Sequence, residues 1–472
     1  MAVALSAAVP YLHSLTGNFL LDDWTLIVDR DRVHSLQNIP WAFHTRFLPS
    51  SFGHNLFYYR PLTIVSYQLN YAVAGPHPFQ FHLTNLLLQV LTTLLVFWCA
   101  RRITGNVVIA GLAGLAFAVL PSHAEAVAWI SGRTDILAAT FLLAGLLVFL
   151  ANVNRPRGFS WPLAVLCSFL LLCGMFSKEQ AVILPALMVG YAWIFGGVRR
   201  RDAVRWVIAL MPSMLIFMVM RKLVVGADLE KIMGFMLAQR LLGVGIAYAA
   251  YLRMLFVPME PKVIYDVFPV AASYPLLAIA AWLLPIGLVA STVLLRKKAP
   301  IVAFGCWWIF LALLPVSNLL PSLGPLPAER FVYMASIGSS LIIGWAAWKM
   351  LSWRPKAVTI WPLAATLLVA GYFAYGAALT MSGCRVYETS LGWASAIQAS
   401  DTRFADLRAT AASYFEQAGF IAARSGDPKT ARKQYKEAAR GYEAALRYDP
   451  GDADSRARLA AIRRALAADQ PL

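Results

Sequence analysis

Eleven apolar runs, each near the length needed to cross a bilayer, constrain the fold of this 472-residue chain most strongly. A helix spans the hydrocarbon core with about 17–25 apolar residues. Hydrophobic residues make up 59% of the chain and charged residues only 14%, which excludes a soluble or disordered protein. The sequence therefore predicts an all-α polytopic membrane protein, whose crossings lie near 1–15, 82–100, 107–121, 136–153, 159–176, 180–196, 204–220, 274–295, 300–320, 331–348 and 358–380.

Basic residues gather in five short loops between these runs, and they predict the orientation. Together the loops contain 14 Lys and Arg but one acid, Asp202. The positive-inside rule places them in the cytoplasm, so the net charge of +17 follows the membrane and gives no support for nucleic-acid binding. The basic residues of the loops are Arg101, Arg102, Arg155, Arg157, Arg199, Arg200, Arg201, Arg205, Arg296, Lys297, Lys298, Lys349, Arg354 and Lys356.

A further apolar run lies at 237–257, and we interpret it as interfacial or re-entrant.

The composition changes after residue 380, which predicts a second unit. Residues 381–472 carry 25 of the 65 charged residues. We expect a transmembrane domain over 1–380 with a first outer loop at 16–81, a linker at 381–399, and a helical module at 400–472 on the outer, periplasmic face of the inner membrane. The small and large residues of this module are spaced as in one tetratricopeptide unit, at Phe415, Gly419, Ala431, Tyr435 and Ala438.

Five polar clusters fall in the predicted outer loops, where charged groups at the membrane boundary indicate candidate sites. Asp22 and Asp23 are adjacent carboxylates, and their mutual repulsion would raise the pKa of one of them. Such a carboxylate suits a general base or a metal ligand, although one of the two could instead cap a helix. The other clusters have competing structural explanations: snorkelling of a lone Arg, core hydrogen bonds of a His, or ion pairs that anchor loops. These four clusters contain Arg60 with His82; His123, Glu125, Arg133 and Asp135 in one segment; Lys178 with Glu179; and Arg330 with Tyr333.

Acids together with cations at an outer membrane boundary suit glycosyl transfer from a polyprenyl-phosphate sugar. A single displacement at the anomeric carbon needs a base that takes the acceptor's proton. The lipid phosphate leaves as an anion, so it needs only cations to stabilise it. The five cysteines lack paired or zinc-type spacing, and the chain has no nucleotide-binding motif.

The order of these motifs resembles the transmembrane and tetratricopeptide-repeat O-mannosyltransferases, over about residues 16 to 450. The resemblance implies a GT-C glycosyltransferase fold and an inverting enzyme that uses a polyprenyl-phosphate sugar. It implies that Asp22 or Asp23 is the base and that Glu125 is a second acid near the acceptor or a metal. Cations for the donor phosphate would be Arg60, Lys178 and Arg330, and further substrate-binding candidates are His82, His123, Arg133, Asp135, Glu179 and Tyr333.

Several points stay open at the level of sequence. The acceptor could be protein Ser or Thr, a lipid or a glycan, and a divalent metal is one alternative cofactor. A non-catalytic membrane scaffold or a lipid-sugar transporter, with the tail as a partner-binding module, is the rival hypothesis. A single repeat offers little binding surface, however, and the predicted helices carry few charges at depth, which favours the enzyme.

Overall fold

Helices form all the regular structure in the part of the chain that the structure, a computed structural model, describes. The described residues are 1–48, 58–153, 158–226, 237–265, 267–317, 328–355 and 360–468, and no strand occurs among them. The predicted all-α class is therefore confirmed. Arg155, Arg157 and Lys356 of the predicted inner loops lie outside these residues.

The predicted crossings coincide with helices. The helices up to the middle of the chain are α1 (Ala2–Ala8), α2 (Ile39–Ala42), α3 (Pro61–Ala74), α4 (Pro78–Thr104), α5 (Val107–Ala118), α6 (His123–Ala128), α7 (Arg133–Val153), α8 (Trp161–Ser177), α9 (Leu184–Phe195), α10 (Arg200–Val225) and α11 (Leu237–Phe256). They continue with α12 (Val267–Ser273), α13 (Pro275–Ala280), α14 (Leu283–Leu295), α15 (Pro300–Leu313), α16 (Ser336–Ser352), α17 (Trp361–Val386), α18 (Ser390–Ala399), α19 (Ala405–Arg424), α20 (Pro428–Tyr448) and α21 (Ala453–Ala468).

Length and composition identify several of these helices as membrane spans. Within the described ranges, five helical stretches are long and apolar enough to cross a bilayer: Pro78–Thr104, Ile130–Val153, Arg200–Val225, Pro275–Leu295 and Trp361–Val386. Other predicted crossings correspond to shorter apolar helices, among them α5, α8 and α15. The chain is thus a multi-pass membrane protein. Helix α11 packs on α12, α13 and α14, and its interfacial or re-entrant position stays a prediction.

Local chemistry explains where many helices begin and end. Proline occupies the first turn of α3, α4, α8, α9, α15, α17 and α20, where its missing N–H has no helical partner to lose. Between α4 and α5, Gly105 adopts a left-handed φ of 67°. The side chain of Asn106 then accepts hydrogen bonds from the backbone N–H groups of Val108 at 2.8 Å and Ile109 at 3.2 Å.

Small residues bring the central helices into backbone contact. A Cβ atom at Gly344 of α16 would lie 2.6 Å from the backbone nitrogen of Ala113 in α5. A Cβ atom at Gly338 would lie 2.7 Å from the carbonyl oxygen of Gly305 in α15. Helices in lipid associate through such close packing, so these glycines define where α5, α15 and α16 meet.

The C-terminal part differs from the prediction in one respect. The sequence predicts a linker at 381–399, but α17 continues to Val386 and α18 begins at Ser390. The short break is capped because Thr389 Oγ1 accepts a hydrogen bond from the N–H of Gly392 at 3.0 Å. Helix α18 then buries Trp393, Ala394 and Ile397 beside α19, which explains why this segment is folded.

Helices α19 and α20 form a closely packed pair in the tail. A Cβ atom at Gly419 would lie 2.7 Å from the ring of Tyr435, so only glycine admits the tyrosine there. Asp427 caps α20 by accepting from the N–H of Thr430 at 3.0 Å. The assignment of this pair as a tetratricopeptide unit stays a prediction.

Candidate active site

A strained turn precedes the two adjacent aspartates, Asp22 and Asp23. Leu21 has a φ of 48°, and it is the one non-glycine residue with positive φ in the described part of the chain. Such a conformation costs roughly 1–3 kcal/mol and persists only where its surroundings hold it. Here, Trp129 Nε1 donates to the carbonyl oxygen of Leu20 at 3.3 Å and fixes the residue before the turn.

Asp23 is the buried, fully hydrogen-bonded member of the pair. Its carboxylate accepts from the backbone N–H of Leu20 at 2.9 Å and from the backbone N–H of Ser131 at 2.9 Å. The hydroxyl of Ser131 also donates to it. Burial raises the pKa of Asp23 to about 7, although the hydrogen bonds oppose this shift. The side chain therefore joins the first loop to the segment before α7.

Asp22 occupies a different environment. It is half-buried, and its carboxylate makes no hydrogen bond or ion pair with any residue in the described ranges. Burial raises the pKa of Asp22, while the nearby charges of Arg330 and Arg60 lower it. A carboxylate that is partly desolvated and has no fixed partner can accept a proton from a bound molecule.

Three ion pairs connect the other predicted clusters to one another. The Arg330 guanidinium pairs with Glu125, whose second oxygen accepts from the Arg330 backbone N–H at 2.9 Å. Lys178 pairs with Asp135, and both side chains are buried. The third pair joins Arg60 Nη2 to Glu179 Oε2 at 3.2 Å. Each pair links residues that are far apart in sequence, so loops from across the chain meet here.

The three cations lie close enough to influence one another. Lys178 Nζ is 4.8 Å and Arg330 Cζ is 5.3 Å from the centre of the Phe331 ring. Burial lowers the pKa of Lys178, Asp135 raises it, and the charges of Arg60 and Arg330 lower it further. This mutual repulsion would be relieved by a bound anion.

Donor groups remain available in this group of cations. The Nε of Arg60 is buried without a hydrogen-bond partner among the described residues. Arg330 is 29% exposed, so its guanidinium is accessible as well as paired. Arginine carries five N–H donors and lysine three, so an ion pair with one carboxylate leaves several N–H groups for a further anion.

Arg133 belongs to the scaffold around the site. It is fully buried and donates to Asn85 Oδ1 at 2.7 Å and to the carbonyl oxygen of Phe81 at 2.8 Å. The same guanidinium donates to Asn70 Oδ1 at 2.5 Å. The structural alternative, an ion pair of Arg133 with Asp135, does not form, because Asp135 pairs with Lys178 instead.

The two candidate histidines and Tyr333 lie among helices. His82 is buried against Gly17, where a Cβ atom would lie 2.9 Å from its Nε2. The His123 ring nitrogen Nε2 is 2.8 Å from Ser336 Oγ, and its ring is 4.5 Å from that of Tyr333. Tyr333 donates its hydroxyl proton to Gln89 Oε1. These contacts favour a packing role for all three.

Three residues near the site were not among the predicted site residues. Ser131, which holds Asp23, lies between Glu125 and Arg133 in sequence, and Glu329 is next to Arg330, so closeness to predicted site residues is the available sequence signal. Glu329 is buried and accepts from the Lys262 backbone N–H and the Tyr265 hydroxyl, each at 2.7 Å. Burial raises its pKa to about 8. No sequence signal pointed to Tyr414.

Tyr414 connects the C-terminal module with the loop that carries Asp22. Burial raises the pKa of Tyr414, the charge of Asp22 raises it further, and the nearby backbone of Leu21 lowers it. The Tyr414 ring also packs edge-on against Trp393 of α18, with ring centroids 6.0 Å apart. Tyr414 of α19 therefore lies within electrostatic reach of Asp22.

The described residues around Asp22 do not form a metal centre. In the part of the chain that the structure describes, no three His, Cys, Asp or Glu side chains are grouped as metal ligands. The acids near Asp22 are instead taken up by ion pairs with Arg60, Lys178 and Arg330. The mechanism proposed below therefore contains no metal-dependent step.

Comparison with known proteins agrees with the motif order. No known family profile matches the chain. Human protein O-mannosyl-transferase TMTC1 is 33% identical over 200 residues, which is 40% of this chain and 23% of the relative. Mouse protein O-mannosyl-transferase TMTC2 is 35% identical over 191 residues, covering 38% of this chain and 22% of the relative. The resemblance to the O-mannosyltransferases is confirmed.

The similarity is partial in extent. The chain spans less than a quarter of the length of these relatives, at 23% and 22%. Among solved structures, the oligosaccharyltransferase of Archaeoglobus fulgidus superimposes with a TM-score of 0.47 and 12% identity, over 84% of this chain and 56% of that one.

Proposed function

We propose that the chain is a membrane glycosyltransferase of the O-mannosyltransferase type. It would move a sugar from a polyprenyl-phosphate donor to an acceptor on the outer face of the membrane. The observation that carries this proposal is the arrangement around Asp22: an unpaired carboxylate lies near Arg330 and Arg60, and Lys178 lies near both cations. A base beside a group of cations is what an inverting transfer from a phosphate leaving group requires.

Asp22 is the proposed base. Its carboxylate would take the proton of an acceptor hydroxyl while the hydroxyl oxygen bonds to the anomeric carbon. The bond from that carbon to the phosphate oxygen breaks in the same step, with inversion. Asp23, which accepts three hydrogen bonds, would hold the loop in place and not exchange protons with substrate.

The cations would hold the phosphate and stabilise its charge as it leaves. Arg330 and Lys178 flank Phe331, and Arg60 approaches from the start of α3. Their carboxylate partners keep these side chains in place before the donor binds. Since bidentate Arg–phosphate contacts are strong and directional, we assign the donor phosphate to this group.

The names of the relatives suggest the sugar and the acceptor. They are protein O-mannosyl-transferases, so we propose mannose as the sugar and a Ser or Thr hydroxyl of a protein as the acceptor. The closeness of Tyr414 to Leu21 supports a place for the acceptor between the first outer loop and the tail.

A transfer assay with purified protein tests the proposal. Protein in liposomes is given labelled polyprenyl-phosphate mannose and Ser/Thr-containing peptides, and donor binding is measured separately. Asp22→Asn should reduce transfer by about 10²–10⁴ and leave donor binding near normal. The exposed Asp29 of the same loop offers a matched control, because Asp29→Asn should leave both unchanged.

The cation variants should give a different result. Arg330→Gln should weaken donor binding as well as transfer, because it removes a phosphate ligand. Normal transfer by Asp22→Asn would rule out Asp22 as the base. Absence of both transfer and donor binding in folded wild-type protein, across several polyprenyl-phosphate sugars, would contradict the proposed enzyme class and favour a scaffold.

A further inference from the structure

A cavity on the membrane-facing side of the bundle lies away from the candidate active site. It has a volume of about 280 Å³ and is formed by α9, α14 and α15. Its walls are apolar and include Val189, Trp193, Val289, Val293 and Trp307. The one hydroxyl in the lining, that of Thr292, donates within α14 to the carbonyl oxygen of Leu288 at 2.8 Å. Such walls offer nothing to hold a polar ligand.

Gly190 allows the cavity to form. The indole of Trp307 lies across α9, where its Nε1–H donates to the carbonyl oxygen of Ala186 at 3.0 Å. A Cβ atom at Gly190 would lie 2.2 Å from Trp307 Nε1. Because glycine stands there, the indole packs directly on the α9 backbone and leaves room beside it.

The cavity opens toward lipid. Val189, Trp193 and Val293 line it and remain 47%, 46% and 50% exposed. Helix α14 is part of a stretch that is long and apolar enough to cross a membrane. Side chains exposed on such a helix meet hydrocarbon, so an acyl chain is the occupant that the surroundings supply.

The charges at one end of the cavity indicate which lipid fits. Arg296 directly follows α14, and its guanidinium carbon lies 4.6 Å from the ring centre of Trp193, which lines the cavity. Lys297 and Lys298 come next and are exposed. The sequence from 274 to 318 contains no Asp or Glu, so no acid of that segment neutralises these cations.

We propose that this cavity binds an acyl chain of an anionic phospholipid, whose headgroup phosphate binds the Arg296–Lys298 cluster. Trp193 connects the cavity with the basic cluster, since it lines the cavity that would hold the acyl chain and also contacts the Arg296 guanidinium. Basic clusters at the membrane surface select anionic over zwitterionic lipids. The site is independent of the proposed transfer reaction and would exist in a scaffold as well.

Native mass spectrometry of the detergent-purified full chain tests this site. The probes are phosphatidylglycerol and phosphatidylethanolamine with identical acyl chains, each added at increasing concentration. The wild type should retain phosphatidylglycerol in preference. Lys297→Gln with Lys298→Gln should reduce that retention by about thirtyfold, because about 1 kcal/mol for each of the two basic residues gives about 2 kcal/mol, and about 1.4 kcal/mol corresponds to a factor of ten.

Cavity variants test the chain-binding part. Val293→Trp should fill the cavity and reduce retention of both lipids, whereas Leu294→Trp, next to it but outside the lining, should not. Arg101→Gln with Arg102→Gln serves as the control for general loss of positive charge and should leave retention unchanged.

Three outcomes would overturn the inference. They are equal retention of both lipids by the wild type, unchanged retention in the Lys297/Lys298 variant, or unchanged retention in Val293→Trp. Displacement of bound phosphatidylglycerol by an equimolar polyprenyl phosphate would assign the cavity to the donor lipid instead.

Discussion

At the residue scale, the proposed function gives the two adjacent aspartates different roles, and stability measurements should separate them. Asp23→Ala removes the acceptor of two buried backbone N–H groups, those of Leu20 and Ser131. Each buried donor left without a partner costs about 1–3 kcal/mol. We expect a clear fall in the thermal unfolding temperature of detergent-purified Asp23→Ala and little change in Asp22→Ala. Equal unfolding temperatures for the two variants would contradict the structural assignment of Asp23.

The pH dependence of transfer belongs to the same scale. Asp22 must be ionised to act as a base, and burial raises its pKa. As the pH falls, transfer should therefore decline at a higher pH than it would with an ordinary aspartate, whose pKa is about 3.9. Lys178 must be protonated to hold phosphate, and burial lowers its pKa. As the pH rises, donor binding should therefore weaken at a lower pH than it would with an ordinary lysine.

Lys178→Arg provides the control for the alkaline side. Arginine stays protonated at the pH values concerned, so donor binding by this variant should lose its alkaline decline. Donor binding should be measured by equilibrium titration across pH, apart from turnover. An unchanged alkaline decline in Lys178→Arg would show that another group causes it.

Close helix contact makes a prediction at the scale of elements. A Cβ atom at Gly344 would lie 2.6 Å from the backbone of Ala113, so Gly344→Ala must push α16 away from α5. Overpacking of this kind typically costs about 1–3 kcal/mol. Gly371 of α17 is the matched control, because a Cβ atom there would meet no other atom within 4 Å and alanine improves helix propensity. Thermal unfolding should be lowered by Gly344→Ala alone; no difference between the two would refute this contact.

Helix positions could largely be predicted from sequence, and the element scale shows why. Apolar length and the Pro, Gly and Asn residues at helix ends are local signals, and α4, α5, α8 and α17 follow them closely. The sequence does not indicate that most of 381–399 is helical, because the packing of α18 on α19 is a tertiary effect that weak local polarity does not reveal.

The candidate site was predictable in its residue types but not in its pairing. Asp22 and Asp23 are adjacent and look alike in sequence. Only the turn at Leu21 and the hydrogen bond from the Ser131 N–H to Asp23 distinguish them. The ion-pair partner of Asp135 is 43 residues away in sequence, so local spacing could not show that Lys178 is this partner. Tyr414 joins the site through tertiary contact alone.

At the scale of the whole molecule, the tail and the transmembrane part should act together. Truncation after Gly392 removes α19 and Tyr414 but keeps the cations around Phe331. We therefore expect donor binding to persist and transfer to fall. Binding of a labelled polyprenyl-phosphate sugar and transfer to peptide should be compared in truncated and full-length protein of equal monodispersity. Loss of donor binding in well-folded truncated protein would place the module within the donor site.

The contacts of Glu388 have a consequence for the making of the protein. His13 Nε2 lies 2.9 Å from the Glu388 carboxylate, and the N–H of Asn18 donates to the Glu388 carbonyl oxygen at 2.9 Å. Thr16 also donates to the Glu388 carboxylate, and Glu388 is synthesised 372 residues after Thr16. The start of the loop that carries Asp22 is thus held by a residue that is made much later. During translation, the loop that carries Asp22 lacks these contacts until α17 has been inserted and Glu388 has emerged. A nascent chain consequently lacks the contacts that hold this loop, and the candidate site is assembled only when the membrane domain is complete.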